Sequence, residues 1–188
     1  MNRVFRNNGW SMDGLTHAWS IRFAPMPEFY QQEDYIENVP TPVSRDGYSY
    51  VSLLTTEKLS PNVKLTTHCA FNGKGAPLVV LPKRLIERDG RQYYGDYLEV
   101  VLWRGGINVW KLWMEADGSV KVRNLLRLEQ QVQTDMIHEL SVEIQKDRFI
   151  ILLDGRKTEL YCPEIYDRFH LGITGCEGPC RFYDMRID

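Results

Sequence analysis

Aromatic, acidic and amide side chains alternate along two neighbouring stretches of the sequence, Tyr97–Trp103 and Ile107–Trp113. In an extended strand, successive side chains point to opposite faces, so every second residue shares a face. Flat aromatic rings beside a few planar polar groups can stack on the apolar face of another ring and hydrogen-bond its rim of hydroxyl groups. The residues of this candidate binding surface are Tyr97, Glu99, Trp103, Arg104, Asn108 and Trp110.

The two faces of the first stretch compete for the interior of the protein. Leu98, Val100 and Leu102 form the more apolar set, so we expect them to pack in the core and the odd-numbered side chains to face outward. On a third strand, Val63–Phe71, His68 lies on the more polar face, which predicts that it joins the same surface. The alternative is that aromatic residues simply favour strands and cover a half-buried sheet.

Turn residues divide the chain into short alternating runs. Asp-Gly occurs at five places and Asn-Gly at two, and these pairs tolerate the positive φ of tight hairpins. The runs predict an all-β protein, a sandwich or a barrel. Leu125, Leu128, Val132 and Met136 fall at helical intervals, but the polar residues among them favour a strand followed by a loop. One domain over residues 1–188 is expected, with residues 1–47 as a less regular N-terminal strand and wrapping loop.

Composition excludes several classes of protein. The chain has 188 residues and a formal net charge of −2, which gives no general electrostatic reason to bind nucleic acid or an anionic membrane. No stretch is long and apolar enough to span a bilayer, and the N-terminus lacks the apolar run of a signal peptide. We therefore expect a cytoplasmic protein, although a mature secreted chain would look similar.

The cysteines are too few to form a disulfide scaffold. A reducing cytoplasm would keep Cys69, Cys162, Cys176 and Cys180 as thiols. Cys176 and Cys180 are close enough in sequence for a bridge or a metal, but a second Cys/His pair at zinc-finger spacing is missing.

The order of the later strands resembles the concanavalin A-like lectin/glucanase superfamily, particularly its laminin G-like and bacterial sugar-associated branches. The resemblance covers roughly residues 48–188 and rests on the segments Tyr97–Leu102, Gly106–Lys111, His138–Ile144, Ile150–Gly155, Leu171–Ile173 and Phe182–Ile187. It implies two antiparallel sheets in a curved jelly roll, with carbohydrate bound on the concave face or at the rim loops. Such a motif is more specific for fold than for activity.

The resemblance also implies a structural calcium ion in some relatives, held partly by an acidic residue of the closing strand. The matching position here is Asp184, with the loop at Asp46-Gly47 as a candidate partner. Calcium takes about 6 to 8 oxygen ligands, and the sequence supplies only one or two of them.

Three functions follow as hypotheses. The first is a carbohydrate-binding jelly-roll protein of glycan or glycoside metabolism that uses the surface named above. The second is a glycoside hydrolase or polysaccharide lyase on the same scaffold, with Glu99 and His68 as catalytic residues. The full Glu-x-Asp-x-x-Glu pattern of the family's retaining glucanases is absent from the sequence. The third is a protein-interaction module, a subunit or a homo-oligomer, whose exposed aromatic residues contact protein.

Overall fold

The computed structural model describes residues 3–5, 10–38 and 49–188, and these residues are built from β-strands. In these ranges we find no helix with the length and apolar character that crossing a membrane requires. The strands, in chain order, are β1 Arg3–Phe5, β2 Leu15–Ser20, β3 Ala24–Pro25, β4 Phe29–Gln31, β5 Ile36–Asn38, β6 Ser49–Thr55, β7 Val63–Phe71, β8 Ala76–Pro82, β9 Leu85–Arg88, β10 Arg91–Tyr94, β11 Tyr97–Trp103, β12 Gly106–Met114, β13 Val120–Glu129, β14 His138–Ile144, β15 Arg148–Leu153, β16 Arg156–Tyr161, β17 Gly172–Cys176, β18 Cys180–Phe182 and β19 Met185–Ile187.

The strands form two sheets, which confirms the expected two-sheet antiparallel jelly-roll sandwich. One sheet has nine strands in the order β16-β15-β14-β7-β18-β5-β4, with β19 beside β7 and β1 beside β19. The other has ten in the order β13-β12-β11-β8-β17-β6-β2-β10-β9, with β3 beside β6. Nearly all pairs are antiparallel; β2 with β10 and β3 with β6 are parallel. β13 and β16 each end a sheet.

The main core lies between the sheets. Leu98, Val100 and Leu102 of β11 are fully buried and belong to the same apolar cluster as Leu65 of β7 and Val142 of β14. Burying an aliphatic side chain of this size contributes about 1.5–3 kcal/mol. The even-numbered residues of β11 therefore face inward as predicted, and the odd-numbered residues lie on the outer face of the ten-stranded sheet.

Asp-Gly pairs make two of the tight hairpins. Asp89 and Gly90 join β9 to β10 with φ of 52° and 70°, and Asp154 and Gly155 join β15 to β16 with φ of 50° and 78°. Positive φ at both central residues matches the right-handed twist of the flanking strands. Asp46-Gly47 lies outside the described residues.

The segment with the helical pattern is a strand and a loop, as expected. β13 continues to Glu129 and residues 130–137 form no regular element. The register between β12 and β13 shifts beside Trp110, whose partner is Asn124, whereas Val109 pairs with Leu126. Leu125 is thus the extra residue of a β-bulge, which explains why the period of two is interrupted there.

Candidate functional site

A cavity of about 470 Å³ lies on the outer face of the ten-stranded sheet, which is within the range of small-molecule sites. Of the surface predicted from sequence, the structure brings five residues together in its lining: Glu99, Trp103, Arg104, Asn108 and Trp110.

The pairing of β11 with β12 brings these side chains together. Glu99 is the register partner of Trp110, and Val101 is the partner of Asn108. Directly opposite residues on one face of an antiparallel pair have Cβ atoms only about 4.5–5.5 Å apart. Two residues separated by eleven positions in the sequence therefore contribute to one surface.

Small side chains on the two adjacent strands leave room for the cavity. Ala76 of β8 and Cys176 of β17 line it, while the larger rings stand on β11, β12 and, across the sheet, on β6. Tyr50 of β6 stacks on Phe23 with ring centroids 4.3 Å apart and planes at 12°. The Arg22 guanidinium lies 5.2 Å from the centroid of the Phe23 ring. Aromatic rings thus border the cavity on both sides.

Glu99 is a buried acid within this lining. It is only 5% exposed, and its Oε2 has no hydrogen-bond partner among the described residues. Burial raises the pKa of Glu99 to about 8, and the positive charge of Arg22 opposes that shift in part. At neutral pH the group is therefore mainly a neutral carboxylic acid, which can donate one hydrogen bond and accept others.

Two more buried polar atoms of the lining lack a partner within the described ranges. They are Nε1 of Trp103, a donor, and Oδ1 of Asn108, an acceptor. A buried polar group without a hydrogen bond costs about 1–3 kcal/mol. Residues of one cavity lining thus hold both a donor and acceptors without partners, and a ligand with several polar groups could pair with them once their side chains turn toward it.

Tyr97 does not belong to the exposed binding surface on which it was predicted to lie. It lies on the predicted face of β11 but is 1% exposed, and it does not line the cavity. Its hydroxyl oxygen accepts a hydrogen bond from Ser20 Oγ at 3.4 Å, and its ring meets that of Tyr94 edge to face at 4.9 Å. Because β10, which carries Tyr94, folds back beside β2, this end of the face is covered and Tyr97 packs beneath the surface.

The prediction that His68 joins this surface is wrong. β7 belongs to the nine-stranded sheet, and His68 points away from the core on that sheet's outer side. Its Nδ1 lies 2.8 Å from Asp184 Oδ2, and its Nε2 lies 3.5 Å from Glu139 Oε2. The alternation of polar and apolar residues predicts which face of a strand a side chain lies on, but not which sheet the strand joins. In the structure, Glu99 and His68 lie on opposite sides of the sandwich.

The described neighbours of Asp184 supply hydrogen-bond donors to its carboxylate and no further calcium ligand. One carboxylate oxygen accepts the His68 backbone N–H at 2.7 Å and the other meets the His68 ring. In the described ranges no group of three or more His, Cys, Asp or Glu side chains is arranged to hold a metal ion. Calcium needs several oxygen ligands, whereas the neighbours of this carboxylate are nitrogen donors.

Sequence reasoning missed part of the lining. The additional residues with functional side chains are Arg22, Phe23, Tyr50, Lys74 and Glu177. The alternation of residues along β6, in which Leu53 faces the core, could have suggested that Tyr50 lies on the cavity face. The others lie in bends and turns, where periodicity gives no face.

Comparison with known proteins supports the architecture. No family model matches the sequence, and no curated protein matches it. Among solved structures, the carbohydrate-binding module CBM66 from Bacillus subtilis is 14% identical, with a TM-score of 0.60 over 90% of this chain and 91% of that one. The Bacillus licheniformis β-glucanase is 8% identical, with a TM-score of 0.62 over 99% and 97% of the two chains.

A third similar structure is the exoplasmic/lumenal domain of VIP36 bound to Ca²⁺ and Man3GlcNAc. It is 12% identical to this chain, with a TM-score of 0.62 over 98% of this chain and 87% of that one. At such low identity the likeness concerns the fold, and members of one fold differ in activity. The two-sheet sandwich of this chain has the concanavalin A-like lectin/glucanase fold.

Proposed function

We propose that the protein binds carbohydrate in the cavity on the outer face of its ten-stranded sheet. The observation that carries the proposal is that three residues lining one aromatic cavity, Glu99, Trp103 and Asn108, each hold a buried polar atom without a partner in the described part of the chain. The fold it shares with a carbohydrate-binding module and a β-glucanase supports the same proposal.

A sugar ring complements this lining in two ways. Its apolar C–H face would stack on Trp110 or Trp103, whose indole rings are half-buried at the cavity. Its hydroxyl groups can donate to Asn108 Oδ1 and accept from Trp103 Nε1 and from the Glu99 carboxylic acid. Each of these contacts satisfies a group that otherwise carries a desolvation penalty.

Titration calorimetry and tryptophan fluorescence with a panel of oligosaccharides test the proposal. Trp110→Ala should weaken binding at least about tenfold, because a central aromatic anchor carries a large share of binding energy. Trp113→Ala is the matched control, since Trp113 lies on the same strand but does not line the cavity. Absence of binding across the panel, or equal affinity of Trp110→Ala and the parent, would overturn the proposal.

A second candidate, glycoside hydrolysis, is favoured by a second carboxyl in the lining. Glu177 lines the cavity with Glu99, and burial raises the pKa of both groups. Such hydrolysis usually needs a proton-donating acid and a second carboxylate. Reducing-end release from the oligosaccharides that bind, lost in Glu99→Gln, would establish it; binding without release assigns the cavity to recognition alone.

A further inference from the structure

Positive charge predominates at the mouth of the cavity. Arg22, Lys74 and Arg104 are exposed residues of the lining, whereas Glu177 is the half-buried acid among them. The whole chain carries a formal charge of −2, so the excess is local and does not follow from composition. A concave site with one sign of charge at its rim concentrates ligands of the opposite sign.

The interior of the cavity does not cancel this charge. Glu99 lies at its wall, 5% exposed, with Oε2 unpartnered among the described residues. An unpaired carboxyl at that depth favours its neutral form, because burial penalises the charged form. A neutral carboxylic acid carries an O–H donor, and Trp103, another residue of the lining, carries a second donor at Nε1 that has no partner among the described residues.

We propose that the cavity selects sugars that carry an anionic substituent, a carboxylate or a sulfate, which Arg22 and Arg104 bind at its mouth. This inference rests on the proposed carbohydrate-binding function and specifies its ligand class. Guanidinium groups suit such a substituent because they offer paired N–H donors to two oxygens of one group. A cationic amino sugar would instead enter past three positive side chains and would need Glu99 to ionise.

The lining continues beyond one ring. A neighbouring cavity of about 320 Å³ shares Trp103, Asn108 and Trp110 with the first and adds Asn124 and Arg127 of β13. Arg127 forms an ion pair with Glu129 at 2.9 Å on the same strand. This continuity fits an oligosaccharide of more than one residue, with a further guanidinium along its path.

Matched acidic and neutral glycans test the inference. The probes are oligogalacturonates, alginate oligosaccharides and sulfated galactan oligosaccharides, each measured beside its methyl-esterified or desulfated form by calorimetry. We expect acidic probes of at least one series to bind about tenfold or more tightly than their neutral forms, with the difference shrinking as salt rises from about 0.05 to 0.5 M. The esterified and desulfated arms distinguish a carboxylate ligand from a sulfate ligand.

Two arginine variants locate the effect. Arg22→Gln and Arg104→Gln should each weaken binding of the acidic probe about tenfold, clearly more than they weaken binding of its neutral form. Arg156→Gln, at an exposed position of β16 in the other sheet, is the control and should change neither affinity. A purely structural role of the arginines would weaken both forms equally, which would overturn the inference.

The possible failures are distinguishable. Equal or tighter binding of the neutral forms overturns the anionic selectivity and leaves the carbohydrate-binding function standing. Absence of binding to acidic and neutral probes and to the general panel overturns the function together with the inference.

Discussion

Glu99 and Trp110 face each other across the β11–β12 pair, a buried acid opposite a half-buried indole at the wall of the same cavity. The register of the hairpin imposes this proximity, because β11 and β12 pair continuously from Tyr97 with Leu112 to Trp103 with Gly106. Loss of hydration at this buried position is the cause of the raised pKa of Glu99.

The buried acid should make stability depend on pH. The pKa of Glu99 rises from its ordinary value of 4.5 to about 8 in the folded protein. Between these values Glu99 binds more protons in the folded state than in the unfolded state, so its contribution to the free energy of unfolding falls as pH rises from 4.5 to 8. Glu99→Gln should abolish this decrease in the free energy of unfolding, which amounts to at most about 5 kcal/mol over the window. Urea unfolding at a series of pH values measures it.

The tyrosines and the cysteine around Glu99 should not produce this effect. Four weak acids interact with the charge of Glu99, namely Tyr50, Tyr94, Tyr97 and Cys176. Burial raises the pKa of each of them, so they stay neutral through this pH window. Glu87→Gln, at an exposed position of β9, is the matched control and should leave the pH profile unchanged. A profile of Glu99→Gln that parallels the parent would contradict the assignment.

Two adjacent valines test the orientation of β11. Val100 is fully buried in the main core, whereas Val101 is half-buried and lines the cavity. Val100→Ala should lower the free energy of unfolding by about 2–3 kcal/mol, because it removes two methyl groups and leaves a void. Val101→Ala should cost less than about 1 kcal/mol. Chemical denaturation measures both, and a reversed order would mean that the strand faces the other way.

Gly172 should be intolerant of a side chain. A Cβ at this position would lie 1.9 Å from the backbone oxygen of Leu53 on the paired strand β6. Gly172→Ala must therefore push two hydrogen-bonded strands apart, and we expect the free energy of unfolding to fall by at least about 2 kcal/mol. Gly95→Ala is the control, because its nearest neighbours would be 3.8 and 3.9 Å away. Thermal unfolding of the two variants should differ clearly; similar midpoints would refute the close approach.

The cysteines should be unreactive in the folded protein. All four are free and buried, and Cys180 Sγ lies 3.7 Å from the Cys176 backbone oxygen as a hydrogen-bond donor. Burial raises the pKa of the Cys180 thiol to about 12, so the reactive thiolate is scarce at neutral pH. Titration with a thiol reagent should find no reactive cysteine before denaturation and four afterwards. A fast native thiol, or fewer than four under denaturing, non-reducing conditions, would contradict this expectation.

Local patterns predicted the sheet face at the site because strand alternation and turn residues are short-range signals. Leu98, Val100 and Leu102 alternate strictly with the cavity side of β11, and the turn at Arg104 places β12 beside it. Five of the six proposed residues of this hairpin consequently line one cavity.

The rest of the site depends on long-range packing, which a local pattern does not contain. His68 has the same alternation as Glu99, but pairing of β7 with β14 and β18 places it in the other sheet. Tyr97 is covered because a distant hairpin, β9–β10, pairs with β2. Arg22 and Phe23 reach the cavity from a bend after β2, where the fold of the whole sheet sets their position.

The edge strands β13 and β16 affect how two molecules of this protein can associate. β13 exposes Lys121, Arg123 and Arg127, and β16 exposes Arg156 and Lys157. Charged side chains on an edge strand discourage a second chain from adding its backbone there. We therefore expect both edges to resist edge-to-edge pairing between folded copies in concentrated solution.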